Sequence, residues 1–298
     1  MRTTLFSLSL SIPPSQTNHF RLPLLSRPSV CRWWPGALGA LATHAIVFAR
    51  LVLPGEEGKD TDMGIHPFLV QLRSLIDHAP LRGITVGGVG RKWGTNDVDN
   101  GYCSFDRVRL PRGALLAKHA SIDREGAYTR TAPKSSSYST MTFVRAQIVA
   151  GSSKALGCAA TIAVRYAAQR RQQPAAAPGA RECAVLEYTS VQARLLPLVA
   201  TACALRFVGR HMLRLHSSGA SSSNSVEERA SKLKAVHIAS CALKSLCTTL
   251  AADGIEECRR SCGGNGFLMA SGLPQIYTDF MPSFTVRPPL QVHAGAPP

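Results

Sequence analysis

Between His44 and Leu110 the apolar residues come in short runs. His44–Leu53 is rich in β-branched and apolar side chains. Gly64–Arg73 and Arg82–Gly87 are two further short runs, and Ser104–Leu110 alternates and stops at Pro111. Clusters of Gly, Pro, Asn and Asp separate them, as hairpins and loops require. Short strands at this spacing predict an antiparallel barrel or sandwich piece. From about residue 138 the period changes. Met141, Val144, Ile148 and Val149 begin a helical face that continues through Leu156, Ile162 and Tyr166, and the segment 173–179, with two prolines and a glycine, ends it. A second helix is predicted from Glu182 to Leu215, with Leu186, Leu195, Val199, Leu205, Val208 and Met212 inward and a kink at Pro197. Ser217–Ser225 is a polar linker. A third helix spans Glu227 to about Ala252, and a fourth starts after Gly254 and stops at Gly263-Gly264. Long helices in series predict an up-and-down bundle. The fold class is α+β, mainly α.

Charge adds a second layer. The chain has 34 basic and 18 acidic residues, a formal charge of +16, which suggests an anionic partner. The first carboxylate is Glu56 and the last Asp279, so both ends are basic or neutral. Residues 1–31, with Arg2, Arg21 and Arg27, read as a leader outside the fold, either transit-like or non-native. Residues 286–298, with four prolines and one glycine, read as a disordered tail. Aromatic residues are only 6% and do not interleave with basic runs, so a nucleic-acid partner is not expected. No uninterrupted apolar run reaches the roughly 18–20 residues of a membrane span; the nearest, Ala37–Leu53, is broken by His44 and Arg50. No membrane partner is expected on that ground.

Nine cysteines are scattered without a C-x-x-C pair. Cys258 and Cys262 lie one helical turn apart, but no His or second pair completes a ligand set. They read as reduced thiols, and no metal is expected. Gly87-Gly-Val-Gly90 fits neither glycine-rich phosphate template and reads as an inter-strand loop. Two features stay open at this level. Arg165, Arg170 and Arg171 near one helix end either complement its dipole or bind an anion. Cys262-Gly-Gly-Asn-Gly-Phe267 is either a helix cap or a place where backbone closely approaches a bound group.

Read together, these segments resemble the peroxisomal acyl-CoA oxidases. The carriers are Trp33-Trp-Pro-Gly-Ala-Leu-Gly39 followed by His44-Ala-Ile-Val47, Gly64–Arg73, Asp99-Asn-Gly-Tyr102, Phe105–Arg112, Thr140–Arg145, Ala163–Gln172, Cys258–Phe267 and Ser271–Tyr277. The resemblance is collinear from about residue 33 to 285. It implies a partial β domain at 32–125 and an acyl-CoA dehydrogenase-like C-terminal helical bundle at 138–285. It also implies FAD as cofactor, acyl-CoA and molecular oxygen as substrates, trans-2-enoyl-CoA and hydrogen peroxide as products, a homodimer, and a peroxisomal location in fatty-acid β-oxidation. Carried over residue by residue, it puts Trp34, Pro35 and Gly36 in a turn approaching the flavin. It places Tyr166, Arg170 and Gln172 on a helix whose Arg pairs with the FAD diphosphate, and Gly263, Gly264 and Gly266 beside the adenosine half.

The departures are specific. Ala37 stands where the family has a second glycine. The family's catalytic glutamate follows the position of Thr285; here Val286-Arg-Pro-Pro289 follows, so no catalytic residue is expected in this chain and its activity is expected to be impaired. No counterpart of the family's N-terminal helical domain, first part of the β domain or second helical bundle is seen, nor a C-terminal Ser-Lys-Leu-type address. Two alternatives accompany this reading: an acyl-CoA dehydrogenase passing electrons to a protein acceptor, and a non-catalytic chain that only associates with full-length subunits.

Overall fold

The computed structural model describes residues 19–21, 30–54, 60–124, 126–131, 139–174, 182–219 and 226–285. The chain forms two compact units, a β unit and a helical unit, dividing between residues 131 and 139.

The β unit contains β1 (His19–Arg21), β2 (Val30–Gly36), β3 (His44–Pro54), β4 (Asp60–Gln71), β5 (Ile84–Gly88), β6 (Asn100–Phe105), β7 (Arg109–Pro111), β8 (Ala120–Ile122) and β9 (Tyr128–Arg130). Every pairing is antiparallel, in the orders β2-β6-β5, β3-β4, β1-β7 and β8-β9. The described strands thus form separate small sheets around one apolar core that includes Leu51, Phe68, Val70 and Leu72. On β3, alternation places Val47, Ala49 and Leu51 inward while Ile46 faces out. A register shift between Leu51 and Val52 then lets Val52 and Leu53 also be buried.

The run expected as one strand over 104–110 is two. Phe105 ends β6, the Asp106 N–H donates to the Gly83 carbonyl at 2.7 Å, and Arg107 takes φ 49 before β7 begins. Part of the leader segment also takes part, because His19–Arg21 pairs with Arg109–Pro111.

The helical unit contains α1 (Ser139–Gln169), a two-stranded hairpin of β10 (Arg171–Pro174) and β11 (Glu182–Ala184), then α2 (Thr189–Gly219), α3 (Val226–Ser261) and α4 (Leu273–Thr285). Its core is dominated by small and branched residues, among them Ala146, Val149, Leu156, Ala163, Leu195, Leu205, Met212 and Ile255. Small residues let the backbones close up. A Cβ on Gly209 of α2 would lie 2.6 Å from the Ala150 Cα of α1, so α1 and α2 touch at the level of the main chain.

Several expectations for this unit are corrected. The predicted third and fourth helices are one helix running through Gly254. That glycine is a packing residue: a Cβ there would meet the Leu156 Cδ1 at 2.6 Å. The second helix begins at Thr189, because Glu182–Ala184 pairs with Arg171–Pro174 instead. It runs as one helix through the exposed Pro197. Val144 and Val199, expected inward, are each 39% exposed, since α1 and α2 bury a narrower stripe than their apolar composition suggests. The same composition overturns the expectation that no segment meets the membrane criterion. Met141–Gln169, Thr189–Ser218 and Ser231–Ser261 are each long and apolar enough to cross a membrane, by length and composition. Alanine and cysteine raise their mean hydropathy without making an uninterrupted apolar run.

Candidate functional site

In the β unit, Trp34 and Pro35 form a bulge. Trp33 pairs with Tyr102 and the next paired residue on β2 is Gly36, opposite Asn100. Trp34 takes φ 88 and Ala37 φ 59, both in the region that favours glycine. A short polar segment holds this turn. The Asn100 side-chain amide donates to the Trp34 carbonyl at 2.8 Å, and the Lys92 ammonium donates to the Asn100 Oδ1 and to the Val98 carbonyl. The Asp99 carboxylate accepts the N–H groups of Ala40 (2.8 Å) and Leu41 (3.0 Å). The bonds from Ala40 and Leu41 hold its carboxyl below the ordinary carboxylate range. Gly101 lies against the same turn, where a Cβ would be 2.3 Å from the Gly39 nitrogen. The result is an indole 55% exposed on a braced backbone.

In the helical unit the predicted residues gather at one end of α1. The helix ends at Gln169, and the Arg170 N–H still reaches the Tyr166 carbonyl at 2.8 Å. The Arg170 carbonyl accepts the Val185 N–H at 2.8 Å. Arg170 and Gln172 are therefore not on the helix as expected. Arg170 sits at its exit and Gln172 on β10, paired with Cys183. The Gln172 carbonyl also accepts the Tyr188 hydroxyl at 2.9 Å. The Arg170 side chain is exposed, and its guanidinium has no protein partner among the described residues. Arg171 differs, since its Nη1 donates to the Glu182 carbonyl at 3.0 Å. Arg165 differs again. It lines a groove of about 950 Å³ between α1 and α2, together with Lys154, Cys158, Val199 and Arg206. The three arginines read as one cluster in sequence have three separate surroundings.

The glycine turn follows α3. Gly263–Phe267 is a single tight helical turn in which Gly263 takes φ 57 and Gly264 faces open space. Gly266 is enclosed: a Cβ there would stand 2.0 Å from the Arg259 carbonyl oxygen. The Asn265 amide donates to the Tyr166 hydroxyl at 2.8 Å, tying this turn to α1 one helical turn before Arg170. That link joins two of the predicted groups across 99 residues and has no sequence signature. Nearby, Glu256 binds Arg259 through two bonds (2.8 and 2.7 Å) and Arg260 at 2.9 Å. The Arg259 bonds are the main reason its carboxyl is held below the ordinary range. Spacings of three and four on a helix were the legible signal for those pairs. At the end of the turn and just past it, Phe267, Leu268 and Met269 are 78%, 55% and 64% exposed.

The arrangement offers one unpaired guanidinium a helical turn beyond Tyr166, and Tyr166 is bonded to a turn whose outer face is bare backbone. That donor set suits a diphosphate: a fixed cation that can bond two oxygens, and a glycine surface that an anionic group can approach closely. Trp34, Pro35 and Gly36 belong to the β unit and the other predicted residues to the helical unit. Among the described residues no group of three or more His, Cys, Asp or Glu gathers as a metal site. The position after Thr285, where the family's glutamate segment begins, lies outside the described residues.

Residues 138–288, just over half of the chain, match the family model described as "Acyl-CoA oxidase, C-alpha1 domain". The chain belongs to the acyl-CoA oxidase family. It is 46% identical over 263 residues to peroxisomal acyl-coenzyme A oxidase 1 of Arabidopsis thaliana, covering 85% of this chain and 38% of that protein. It is 39% identical over 267 residues to peroxisomal acyl-coenzyme A oxidase 1 of Homo sapiens, covering 88% and 39%. Among solved structures, acyl-CoA oxidase 1 of Arabidopsis thaliana superposes with a TM-score of 0.80 at 43% identity, covering 94% of this chain and 42% of that one. Acyl-CoA oxidase-1 of Caenorhabditis elegans, solved in complex with FAD and ATP, gives 0.81 at 33% identity, covering 96% and 41%. Acyl-CoA oxidase-2 of the same organism, bound with FAD, ascaroside-CoA and ATP, gives 0.82 at 32%, covering 94% and 41%. The chain spans about two fifths of the length of these relatives.

Proposed function

We propose that this chain carries part of the FAD site of a peroxisomal acyl-CoA oxidase, an enzyme that converts acyl-CoA to trans-2-enoyl-CoA and reduces oxygen to hydrogen peroxide. The observation that carries the reading is the unpaired, exposed Arg170 one helical turn beyond Tyr166, whose hydroxyl accepts from Asn265 of the glycine turn. Relatives solved with FAD support it.

FAD, when bound, supplies a hydride acceptor for the substrate's β carbon. The chain's own residues do the holding. Arg170 neutralises the diphosphate, and its backbone is pinned by the last turn of α1 and by Val185. Gln172 presents its amide from a paired strand. Gly263 and Gly264 leave the adenosine side open, and Gly266 lets the turn fold back on Arg259. Trp34, Pro35 and Gly36 form the bulge on the flavin side. In a homodimer Arg170 and Gln172 reach the cofactor of the partner subunit.

The general base is a separate matter. No carboxylate follows Asp279 in the sequence, and Val286-Arg287 stands where the family's glutamate segment begins. Loss of a positioned base lowers a proton-transfer step by about 10²–10⁴-fold, so this chain binds better than it turns over. The test is an FAD titration of the purified chain, followed by quenching of flavin fluorescence. Saturable binding that Arg170→Ala weakens about tenfold or more supports the reading. No binding, or binding indifferent to Arg170, refutes it. Addition of acyl-CoA to any flavin-loaded chain is expected to leave the visible flavin band unbleached.

A further inference from the structure

A second constellation lies elsewhere in the helical unit. His237, Cys241 and Lys244 fall on one face of α3, at spacings of four and three. Arg145 of α1 reaches this face. Its Nη1 donates to the Cys241 Sγ at 3.2 Å and lies 3.3 Å from the His237 Nδ1. The His237 Nε2 is 3.9 Å from the same sulfur. A guanidinium nitrogen carries two hydrogens, one for the sulfur and one for Nδ1. With Nδ1 accepting, neutral His237 carries its hydrogen on Nε2, the nitrogen that faces Cys241. Two N–H donors thus converge on one sulfur and hold it as an acceptor, the role a cysteine plays when it attacks. Lys244, 3% exposed, adds a buried amine to the same face. Cys241 itself is only half-buried.

The other described thiols are set differently: Cys183, half-buried, and Cys103, buried, donate from Sγ to the carbonyls of Gln172 and Ser104. Cys158 and Cys203 are exposed, with no described donor to their sulfur. Cys247, Cys258 and Cys262 are buried, and burial pushes all three thiols up.

We propose that Cys241 is a peroxide-reactive thiol, positioned by Arg145 and His237. The deprotonated sulfur attacks one oxygen of hydrogen peroxide. The S–O bond forms as the O–O bond breaks, and hydroxide leaves and takes a proton from solvent as water. Sulfur loses two electrons to the peroxide and becomes a sulfenic acid. The proposal is independent of any activity of the chain, because the peroxide is supplied.

The test treats the whole chain with hydrogen peroxide in the presence of dimedone, which traps sulfenic acids, and reads each cysteine by peptide mass spectrometry. The expected result is labelling of Cys241 about tenfold faster than of the more exposed Cys158 and Cys203. In Arg145→Met that rate falls to the level of those two, with their own labelling unchanged. Should Arg145→Met lose its helical circular dichroism, His237→Gln serves the same comparison. Equal or faster labelling of Cys158 or Cys203, or a Cys241 rate indifferent to the folded variant used, overturns the proposal.

Discussion

Methyl groups added to the glycine turn after α3 should have very unequal effects two residues apart. At Gly266 a Cβ would be placed 2.0 Å from the Arg259 carbonyl oxygen and 3.1 Å from the Cys262 Cβ. The first neighbour is main chain at the end of α3, so no flexible side chain can swing away. Overpacking of this kind costs about 1–3 kcal/mol, and a backbone neighbour puts Gly266→Ala near the top, at about 3 kcal/mol. At Gly264 a Cβ meets nothing within 4 Å, and Gly264→Ala should stay within about 0.5 kcal/mol of the parent. All four α-helices among the described residues belong to the helical unit, so thermal melting followed at 222 nm reports mainly on that unit. For about 150 residues each kcal/mol shifts Tm by roughly 2–4 °C, so Gly266→Ala should melt about 6–12 °C lower. The same pair separates structure from binding. Gly264→Ala adds its methyl to the face proposed for the cofactor, so it should weaken FAD binding while Tm stays put. A Gly266→Ala protein that melts within 1–2 °C of the parent, roughly what half a kcal/mol produces, would show that the turn is not closed against Arg259. Equal melting losses for both variants would show that the outer face is not open.

Three further outcomes follow from the same geometry. Ala37→Gly should stabilise the β unit: relief of a left-handed non-glycine residue is worth about 1–2 kcal/mol, against about 0.4–1 kcal/mol for the freer unfolded chain. A rise in urea midpoint without a change in slope would report that gain; a fall would refute it. Glu256→Gln should lower Tm at neutral pH. Arg259 and Arg260 hold this carboxyl below its ordinary value of 4.5, so its contribution is full above that value and is lost as pH falls through the depressed one. The Tm difference between variant and parent should therefore close on acidification, and a difference constant down to pH 2–3, roughly below the carboxylate range, would sink the assignment. Cys258 is pushed up to about 12, first by burial and then by Cys262 and Glu257. It should resist iodoacetamide at pH 8 in the folded chain and react once urea is added, so modification in the native state would contradict its burial.

The parts legible in the sequence are those set by local pattern. The β-branched stretch at His44–Leu53 pairs along its whole length, and the run at Gly64–Arg73 pairs with it as far as Gln71, because alternation and burial select the same residues. The length of α1 was readable for the same reason. Features set by packing were not. Gly254 looks like a break on the helix pattern, yet it is the point where α3 lies on Leu156. Val199 is apolar and in phase, but α2 buries only Leu195, Leu205 and Met212 strongly, and nothing in a single helix says which neighbours it will have. At the site, the motif residues were found by resemblance to known oxidases, whereas their brackets were not. Asn265 on Tyr166 and Asn100 on the Trp34 carbonyl are long-range bonds between common polar residues. The positive φ values of Trp34 and Ala37 leave no trace in composition, since neither is a residue that advertises such a backbone.

The anchoring of Arg170 has its own implication. Its amide belongs to the last turn of α1 and its carbonyl to the link with Val185, so its Cα cannot shift without opening both. The guanidinium is then an arm on a fixed shoulder, and the volume it samples is set by its side-chain torsions alone. Gln172 apart, the paired strands β10 and β11 touch no ligand in this picture, yet they set how narrowly the charge is aimed. Loosening the hairpin, for example by removing the Tyr188 hydroxyl from the Gln172 carbonyl, widens that aim and makes recognition of a diphosphate less selective without changing any residue that touches it.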